Sequence, residues 1–171
     1  RYNSLPPNDT AGAEKLIREI LGKAGKNITI RPPFYCDYGK NIEIGDNFFA
    51  NFNTVILDVG KVKIGNNVMF APNVSVYTAG HPIHPASRNS GYEYGIAVII
   101  GDNVWIGGNA VINPGVTIGN NCVIGAGSVV TKNIPDNSIA VGNPARVIRK
   151  ITDDDRRYYF KNLVFDVDDY K

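Results

Sequence analysis

A strict six-residue period in the hydrophobic residues constrains the fold of this chain more than any other feature. Within residues 100–130, IGDNVWIGGNAVINPGVTIGNNCVIGAGSVV, a β-branched residue recurs at Ile100, Ile106, Ile112, Ile118, Ile124 and Val130. This period matches neither the period of about 3.6 of an amphipathic helix nor the period of about 2 of a half-buried strand. The positions four residues after each anchor are also small or β-branched: Val104, Ala110, Val116, Cys122 and Ser128.

Earlier parts of the chain carry the same period. One series runs Ile44, Ala50, Ile56 and Val62, and a second, shifted by two residues, runs Ile64, Phe70 and Val76. Gly, Asn and Asp fill the intervals, which indicates a turn every six residues and strands of only a few residues. A short fixed period of this kind predicts a β-helix with three flat faces and about 18 residues in a coil. Ile100 should then stack on Ile118, and Ile106 on Ile124.

An antiparallel β-sandwich is the alternative that frequent turns allow. A sandwich would show alternation of period 2 over longer strands, which this chain lacks. The sequence therefore predicts an all-β chain built as a parallel β-helix. Gly and Asn are expected at its corners, because they accept the positive φ angles that β-branched residues avoid.

Two helical segments are predicted outside the β-helix. In PPNDTAGAEKLIREILGKAG a helix is capped by Asp9 or Thr10 and ended by Gly22 and Gly25. Its apolar face consists of Leu16, Ile17, Ile20 and Leu21. Near the other end, TDDDRRYYFKN predicts a short polar helix capped by Thr152. The expected division is a helical segment over 1–27, a β-helix over 28–151 and a tail over 152–171.

Composition limits the classes of function. A formal net charge of +2 predicts no nucleic-acid-binding surface, and no apolar run reaches the roughly 18 residues of a membrane span. Two cysteines, Cys36 and Cys122, are too few for a disulfide framework and indicate free thiols in a reducing compartment. With no secretory signal visible, we expect a cytoplasmic protein.

The six-residue period is interrupted by GHPIHPASRNSGYEYGIA, residues 80–97, which contains both histidines of the chain. A long loop that leaves a rigid scaffold is a common place for functional residues. An imidazole is also the side chain best suited to proton transfer near neutral pH. His81 is therefore a candidate base, although a histidine in a surface loop can equally have no chemical role.

Five segments in order, CDYGKNIEIGDNFFANFNTVILDV, APNVSVYTAGHPIHP, IGDNVWIGGNAVINPGVTIG, VIGAGSVVTKNIP and GNPARVIRKI, resemble the maltose and galactoside O-acetyltransferases. These enzymes are hexapeptide-repeat acyltransferases. The resemblance covers residues 28 to 160 and implies a left-handed parallel β-helix. It also implies a homotrimer with active sites between subunits, acetyl-CoA as the donor and a small sugar as the acceptor. In that family a further helical segment, before the position of Arg1, contributes to the acceptor pocket.

The resemblance assigns roles at the acceptor side. His81, in the GHP motif, is the general base for direct attack in a ternary complex, and Asn51 steadies the tetrahedral intermediate and faces the acceptor. Asp37 and Asp58 are candidates to bind sugar hydroxyls, with turn capping as the alternative for each. His84 is expected near the acceptor. Val59 stands where galactoside-type members carry an acidic residue, which favours the maltose type.

The resemblance also assigns a donor side. Thr131, Lys132, Arg146 and Arg149 would contact the nucleotide end of CoA, whose phosphates need cations and hydrogen-bond donors. Gly108 and Ala126 would line the pantetheine groove, and Trp105 would point outward to a groove or subunit interface. The alternative for the basic residues is an ordinary solvated surface. Because a thioester is already activated, we expect no metal.

Three other functions share the scaffold or the chemistry. Hexapeptide-type carbonic anhydrases hold zinc with three histidines, whereas this chain has two, three positions apart. A purely structural or ice-binding β-helix would need neither the loop at 80–97 nor the cationic end. Acetylation of another acceptor, such as an antibiotic hydroxyl or an amino sugar, remains open.

Overall fold

Short parallel strands coil into a three-sided prism in the computed structural model, which describes residues 1–6 and 8–165. Sheet A contains β1 Lys23–Ala24, β4 Ile42–Ile44, β7 Val62–Ile64, β12 Val98–Ile100 and β15 Thr117–Ile118. Sheet B contains β2 Thr29–Ile30, β5 Phe49–Ala50, β8 Met69–Phe70, β13 Trp105–Ile106, β16 Val123–Ile124, β18 Ser138–Val141 and β19 Arg146–Lys150. Sheet C contains β3 Phe34–Cys36, β6 Thr54–Leu57, β9 Ser75–Tyr77, β14 Val111–Ile112 and β17 Val129–Val130.

The register of the strands confirms the predicted parallel β-helix. Ile100 pairs with Ile118 on sheet A, and Ile106 pairs with Ile124 on sheet B. The six anchors of residues 100–130 are at most 1% exposed. Their companions four positions later are buried as well, including Cys122 and Ser128. Each coil therefore fills its own interior with two residues from every face.

Departures from the six-residue period gather at one corner of the prism, between sheets C and A. Anchors on either side of this corner are eight positions apart at Ile56 and Ile64 and 24 apart at Val76 and Ile100. In the later coil, Ile112 and Ile118 are only six apart. Extra residues at this corner explain the two-residue shift between the first two series, and they place the loop at 80–97 on the same edge.

The corner between sheets A and B is held by a ladder of asparagines. Each of the six has a φ between 53° and 57°, a left-handed conformation that Asn tolerates better than most residues. The side-chain amide of each donates to the next at 2.9–3.0 Å. The ladder consists of Asn27, Asn47, Asn67, Asn103, Asn121 and Asn137. These residues satisfy both the backbone geometry and the hydrogen bonding of the corner.

The N-terminal helix forms as predicted, with one change at its end. After a 3₁₀ turn at Tyr2–Ser4, α1 spans Thr10–Ile20 and is capped by Asp9, whose carboxylate accepts from the N–H of Gly12 at 2.9 Å. Its inward residues, among them Ile17, cover the first coil. Gly22 follows the helix, but Gly25 does not end it, because β1 lies between them and pairs with β4.

The C-terminal region differs from the predicted helix. β19 turns back antiparallel to β18, and a 3₁₀ helix follows at Asp153–Arg157 after Thr152. The next residues form a hairpin of β20 Tyr158–Phe160 and β21 Leu163–Val164, since aromatic and β-branched residues suit strands. Residues 166–171 of the predicted tail lie outside the described residues. Within the described part of the chain, no helix is long and apolar enough to cross a membrane.

Candidate active site

The predicted site residues lie along two edges of sheet C. The edge between sheets C and A, here the CA edge, carries Asp37, Asp58, His81, His84, Thr131 and Lys132. The edge between sheets B and C, here the BC edge, carries Asn51, Gly108 and Ala126, with Trp105 and the β19 residues Arg146 and Arg149 on the adjoining sheet B. One strand with its flanking corners, as from Asn51 to Asp58, spans on the order of 20 Å. One chain therefore does not bring its own two sets together.

His81 directly follows β10, Ala79–Gly80, at the start of the protruding loop. Its Nδ1 lies 2.9 Å from the backbone carbonyl oxygen of Tyr92. Because a carbonyl oxygen can only accept, Nδ1 carries the proton of the neutral ring and Nε2 keeps its lone pair. The side chain is half exposed, so Nε2 is accessible to an acceptor and chemically ready to take up a proton.

Glu93 is a site residue that the sequence analysis missed. Its Oε1 lies 3.8 Å from Nε2 of His81, close enough to stabilise the imidazolium that forms when the ring is protonated. Glu93 is the only acidic residue between positions 80 and 97. A single carboxylate in a loop that holds both histidines could have been predicted from the sequence as a partner of one of them.

Asp58 is fully buried and acts on the site through the backbone. Its carboxylate accepts from the N–H groups of Asp37 and Tyr38 at 3.0 and 2.9 Å, and from that of Asn41 at 3.2 Å. This geometry favours turn capping, the alternative role of Asp58. Asp37 is exposed on the turn that Asp58 shapes. Some burial of the carboxyl group, and then the charges of Asp58 and Glu93, raise the pKa of Asp37.

His84 and the short helix after it form the outer part of the loop. Nδ1 of His84 accepts from the N–H of Ala86 at 3.3 Å and so caps α2, Pro85–Asn89. β11, Tyr94–Gly95, then returns antiparallel to β10. A role for His84 in acceptor binding stays a prediction.

Asn51 follows β5 on the BC edge and is partly buried. Its Oδ1 accepts from the N–H of Phe52 at 2.8 Å. With the carbonyl side of the amide engaged in this turn, the NH₂ group is the end left to donate to a substrate.

Small residues continue along the BC edge above Asn51. Gly127 N–H donates to the carbonyl of Gly108 at 2.8 Å, which stacks Gly108 below Ala126 in adjacent coils. A Cβ on Gly107 would lie 2.5 Å from the backbone nitrogen of Ala126, so the coils approach closely here. Trp105 points outward from sheet B and is 52% exposed. That Gly108 and Ala126 line a groove for pantetheine stays a prediction, as does a ligand or interface role for Trp105.

The residues predicted to bind the nucleotide end of CoA differ in their contacts with the rest of the chain. Thr131 and Lys132 are exposed after β17, and Arg146 is exposed at the start of β19. Arg149 is bound by Asp155, with Nη1 and Nη2 each 2.8 Å from a carboxylate oxygen. Among the described residues, no group of three or more His, Cys, Asp or Glu side chains could hold a metal ion.

Comparisons with known proteins show which family has this repeat and this fold. A family model described as bacterial transferase hexapeptide (six repeats) matches residues 97–132. The galactoside O-acetyltransferase of Escherichia coli K12 is 52% identical over 161 residues, covering 94% of this chain and 79% of its own.

Solved structures give the same result. A maltose O-acetyltransferase from Clostridium difficile 630 is 56% identical with a TM-score of 0.87, covering 88% of this chain and 81% of its own. A galactoside acetyltransferase in complex with coenzyme A is 51% identical with a TM-score of 0.95, covering 97% of this chain and 83% of its own. The chain belongs to the hexapeptide-repeat acetyltransferases, the enzyme family that includes the galactoside and maltose O-acetyltransferases.

Proposed function

We propose that this protein transfers the acetyl group of acetyl-CoA to a hydroxyl group of a sugar, with His81 as the general base. The observation that carries the proposal is the orientation of His81. The carbonyl of Tyr92 holds Nδ1–H, and Nε2 keeps its lone pair with the Glu93 carboxylate 3.8 Å away. A relative named galactoside O-acetyltransferase and one named maltose O-acetyltransferase support a sugar as the acceptor. A related structure with bound coenzyme A supports acetyl-CoA as the donor.

The reaction needs one group that accepts a proton and one group that donates a hydrogen bond to the oxyanion. Nε2 of His81 takes the proton of the acceptor hydroxyl while its oxygen bonds to the thioester carbonyl carbon. The NH₂ group of Asn51 donates to the oxyanion of the tetrahedral intermediate. The C–S bond then breaks, and the imidazolium returns the proton to the CoA sulfur. Glu93 stabilises the imidazolium between these two steps.

The site is proposed to lie between subunits of a homotrimer. Asn51 and His81 occupy opposite edges of sheet C in one chain, so a site that uses both requires the BC edge of one subunit against the CA edge of another. In a ring with threefold symmetry every subunit provides one of each, which gives three equivalent sites. The groove predicted along Gly108 and Ala126 then guides pantetheine towards Lys132, Arg146 and Arg149.

Mixing subunits tests this arrangement. Asn51→Ala and His81→Ala chains should each have strongly reduced activity alone and should regain activity when co-expressed, because mixed trimers contain sites in which both residues are wild type. Co-expression of Asn51→Ala with Asn51→Ala/His81→Ala is the matched control and should stay inactive. Activity that never returns in verified mixed trimers would place both residues in a site within one chain.

The acceptor is proposed to be maltose, glucose or a galactoside, and Val59 favours the maltose type. A specific observation favours a second candidate, an amino sugar. Asp58 accepts from the N–H of Asp37, and the charges of Asp58 and Glu93 both raise the pKa of Asp37. Glu93 also lies beside His81, so an ammonium group of an acceptor bound there would relieve repulsion among these carboxylates. Release of CoA thiol should be measured with maltose, glucose, a galactoside, glucosamine and a hydroxylated antibiotic at equal concentration. Absence of acceptor-dependent release across this panel would contradict the proposed function.

A further inference from the structure

The ribbon of β10 and β11 holds His81 and both of its partners. β10 pairs with β11 through Ala79 with Gly95 and Gly80 with Tyr94. His81 comes directly after β10, while Tyr92 and Glu93 come directly before β11. The separation of these two strands therefore sets how far the imidazole lies from the carbonyl of Tyr92 and from the carboxylate of Glu93.

The ring of Tyr94 covers the α-carbon of Gly80. A Cβ placed on Gly80 would lie 2.5 Å from both Cζ and Oη of Tyr94, nearer than real side-chain contacts come. The ring thus occupies the space that any side chain at position 80 would need. Since Gly80 is bonded to His81, this contact lies one residue from the imidazole.

A second close contact fixes β11 to the β-helix. A Cβ on Gly95 would lie 2.6 Å from the backbone nitrogen of Gly60, which lies two residues after Asp58 on the CA edge. The buried hydroxyl of Thr78 accepts from the N–H of Gly60 at 2.8 Å, and the carbonyl of Thr78 accepts from the N–H of Ile96 at 2.8 Å. The base of the ribbon is therefore rigid, and the Tyr94 ring is the contact that extends this rigidity to His81.

We infer that Tyr94 is a positioning residue for His81, because its ring, packed over Gly80, keeps the β10–β11 ribbon closed and the imidazole in register with Tyr92. The residue acts through packing and touches neither donor nor acceptor. Its effect on turnover rests on the proposed function, whereas its effect on the state of the His81 ring does not.

The test uses imidazole NMR, which is simple here because the chain has two histidines. Nitrogen spectra of the full-length protein report which ring nitrogen carries the proton, and a His84→Gln variant assigns the two rings. Wild type should show His81 protonated at Nδ1. Tyr94→Ala should shift it towards the tautomer mixture of an unconstrained imidazole. Tyr94→Phe keeps the ring and should match wild type.

Gly80→Ala reaches the same contact from the other side. Its methyl group should push the Tyr94 ring away and give the spectrum of Tyr94→Ala. In the double variant Gly80→Ala/Tyr94→Ala, the tautomer of His81 should be shifted no further than in either single variant. Tyr159→Ala, an exposed tyrosine of β20, is the matched control and should match wild type. Wild-type tautomers in both Tyr94→Ala and Gly80→Ala would overturn the inference. A Tyr94→Phe spectrum like that of Tyr94→Ala would also overturn it, since the hydroxyl and not the packing would then act.

Kinetics on the same proteins separate this inference from the proposed function. Tyr94→Ala should lower kcat by about 10- to 100-fold, the cost of a small misplacement of a catalytic group, with the Michaelis constant for acetyl-CoA unchanged. A shifted tautomer with unchanged sugar acetylation supports the positioning role and contradicts His81 as the base. If the tautomer is unshifted in Tyr94→Ala while acetylation by the wild-type enzyme depends on His81, only the positioning role is contradicted.

Discussion

Arg149 and Asp155 form a bidentate ion pair that ties β19 to the following 3₁₀ helix. Nη1 and Nη2 of Arg149 each lie 2.8 Å from a carboxylate oxygen, and the backbone N–H of Thr152 donates to the same carboxylate at 2.9 Å. A phosphate of CoA would have to compete with Asp155 for this guanidinium. Lys132 is exposed and forms no ion pair with another described residue, so it is free to meet a phosphate.

We therefore predict that Lys132→Ala weakens the use of acetyl-CoA more than Arg149→Ala does. A lost charge-assisted contact to phosphate is worth about 1.5–3 kcal/mol, or roughly a 10- to 100-fold rise in the Michaelis constant for acetyl-CoA. The constant for the sugar should change little in both variants. Steady-state kinetics with acetyl-CoA and its 3′-dephospho form measure this. Equal Michaelis constants of the wild-type enzyme for both donors would contradict a contact between Lys132 and the 3′-phosphate.

The ion pair should fail at acid pH. Hydrogen bonds from Arg149, and then from the backbone of Thr152, lower the pKa of Asp155 to about 2. A carboxyl whose folded pKa is depressed stabilises the fold above its unfolded value, near 3.8, and this contribution is lost as pH falls through about 2. Because the Arg149 side chain is half exposed and the Asp155 side chain is partly exposed, added salt should weaken the effect.

A carbon NMR titration of the Asp155 carboxyl group at low salt checks this directly. The expected midpoint is about 2 in wild type. In Arg149→Ala it should return towards the ordinary value. A wild-type midpoint already near 3.8 would show that the pair does not persist in solution.

At Asn103, the contribution of the left-handed backbone to the free energy of unfolding can be measured separately from the hydrogen bonds of the asparagine ladder. This residue has a φ of 57°, accepts from the Asn67 amide at 3.0 Å and donates to Asn121 at 2.9 Å. Asn103→Gly loses both hydrogen bonds but keeps the conformation, whereas Asn103→Ala must also hold a left-handed backbone. Alanine should therefore be about 1 kcal/mol less stable than glycine. Urea unfolding at matched protein concentration compares them, and a more stable alanine variant would contradict the argument.

Cys36 should be a slow nucleophile although it lies beside the candidate site. Burial, followed by the charges of Asp58 and Asp37, raises the pKa of its thiol to about 11. At pH 8 only about one molecule in a thousand then carries the thiolate, the form that alkylating reagents attack. Iodoacetamide labelling followed by mass spectrometry should modify Cys36 slowly in the native protein and rapidly in urea. Asp37→Asn should quicken the native reaction, and labelling of native Cys36 at the rate of a free thiol would exclude the raised pKa.

The coils of the β-helix could be predicted from sequence because each position repeats the same local demand. Ile100, Ile106 and Ile112 each need one inward place, and the register of pairs such as Ile100 with Ile118 follows from counting. The C-terminal tail repeats nothing. Asp153–Arg157 forms one short 3₁₀ helix and then a hairpin, because the residues after it, from Tyr158 on, favour strands.

The site was less predictable, since its contacts depend on where corners meet. The residue types at Asp37 and Asp58 are the same, yet one is exposed and the other is buried beneath three backbone donors. Only the position of each on its turn separates them. Likewise, the partner of Arg149 was hidden, because a carboxylate six residues away becomes bidentate only after β19 ends and the chain turns.

His81 carries the central claim, and comparing His81→Ala with His84→Ala tests it most directly. We expect His81→Ala to lower kcat by about 10²- to 10⁴-fold, with little change in acetyl-CoA binding, because the groove and the cationic end are intact. His84→Ala, three positions away, should weaken acceptor use modestly and keep the wild-type loss of rate at acid pH.

The measurement is CoA thiol release against pH for wild type and both variants, with the best acceptor of the panel. The account predicts that turnover and its fall at low pH depend on His81 alone. Full activity in His81→Ala, or loss of the acid limb in His84→Ala instead, would contradict His81 as the general base.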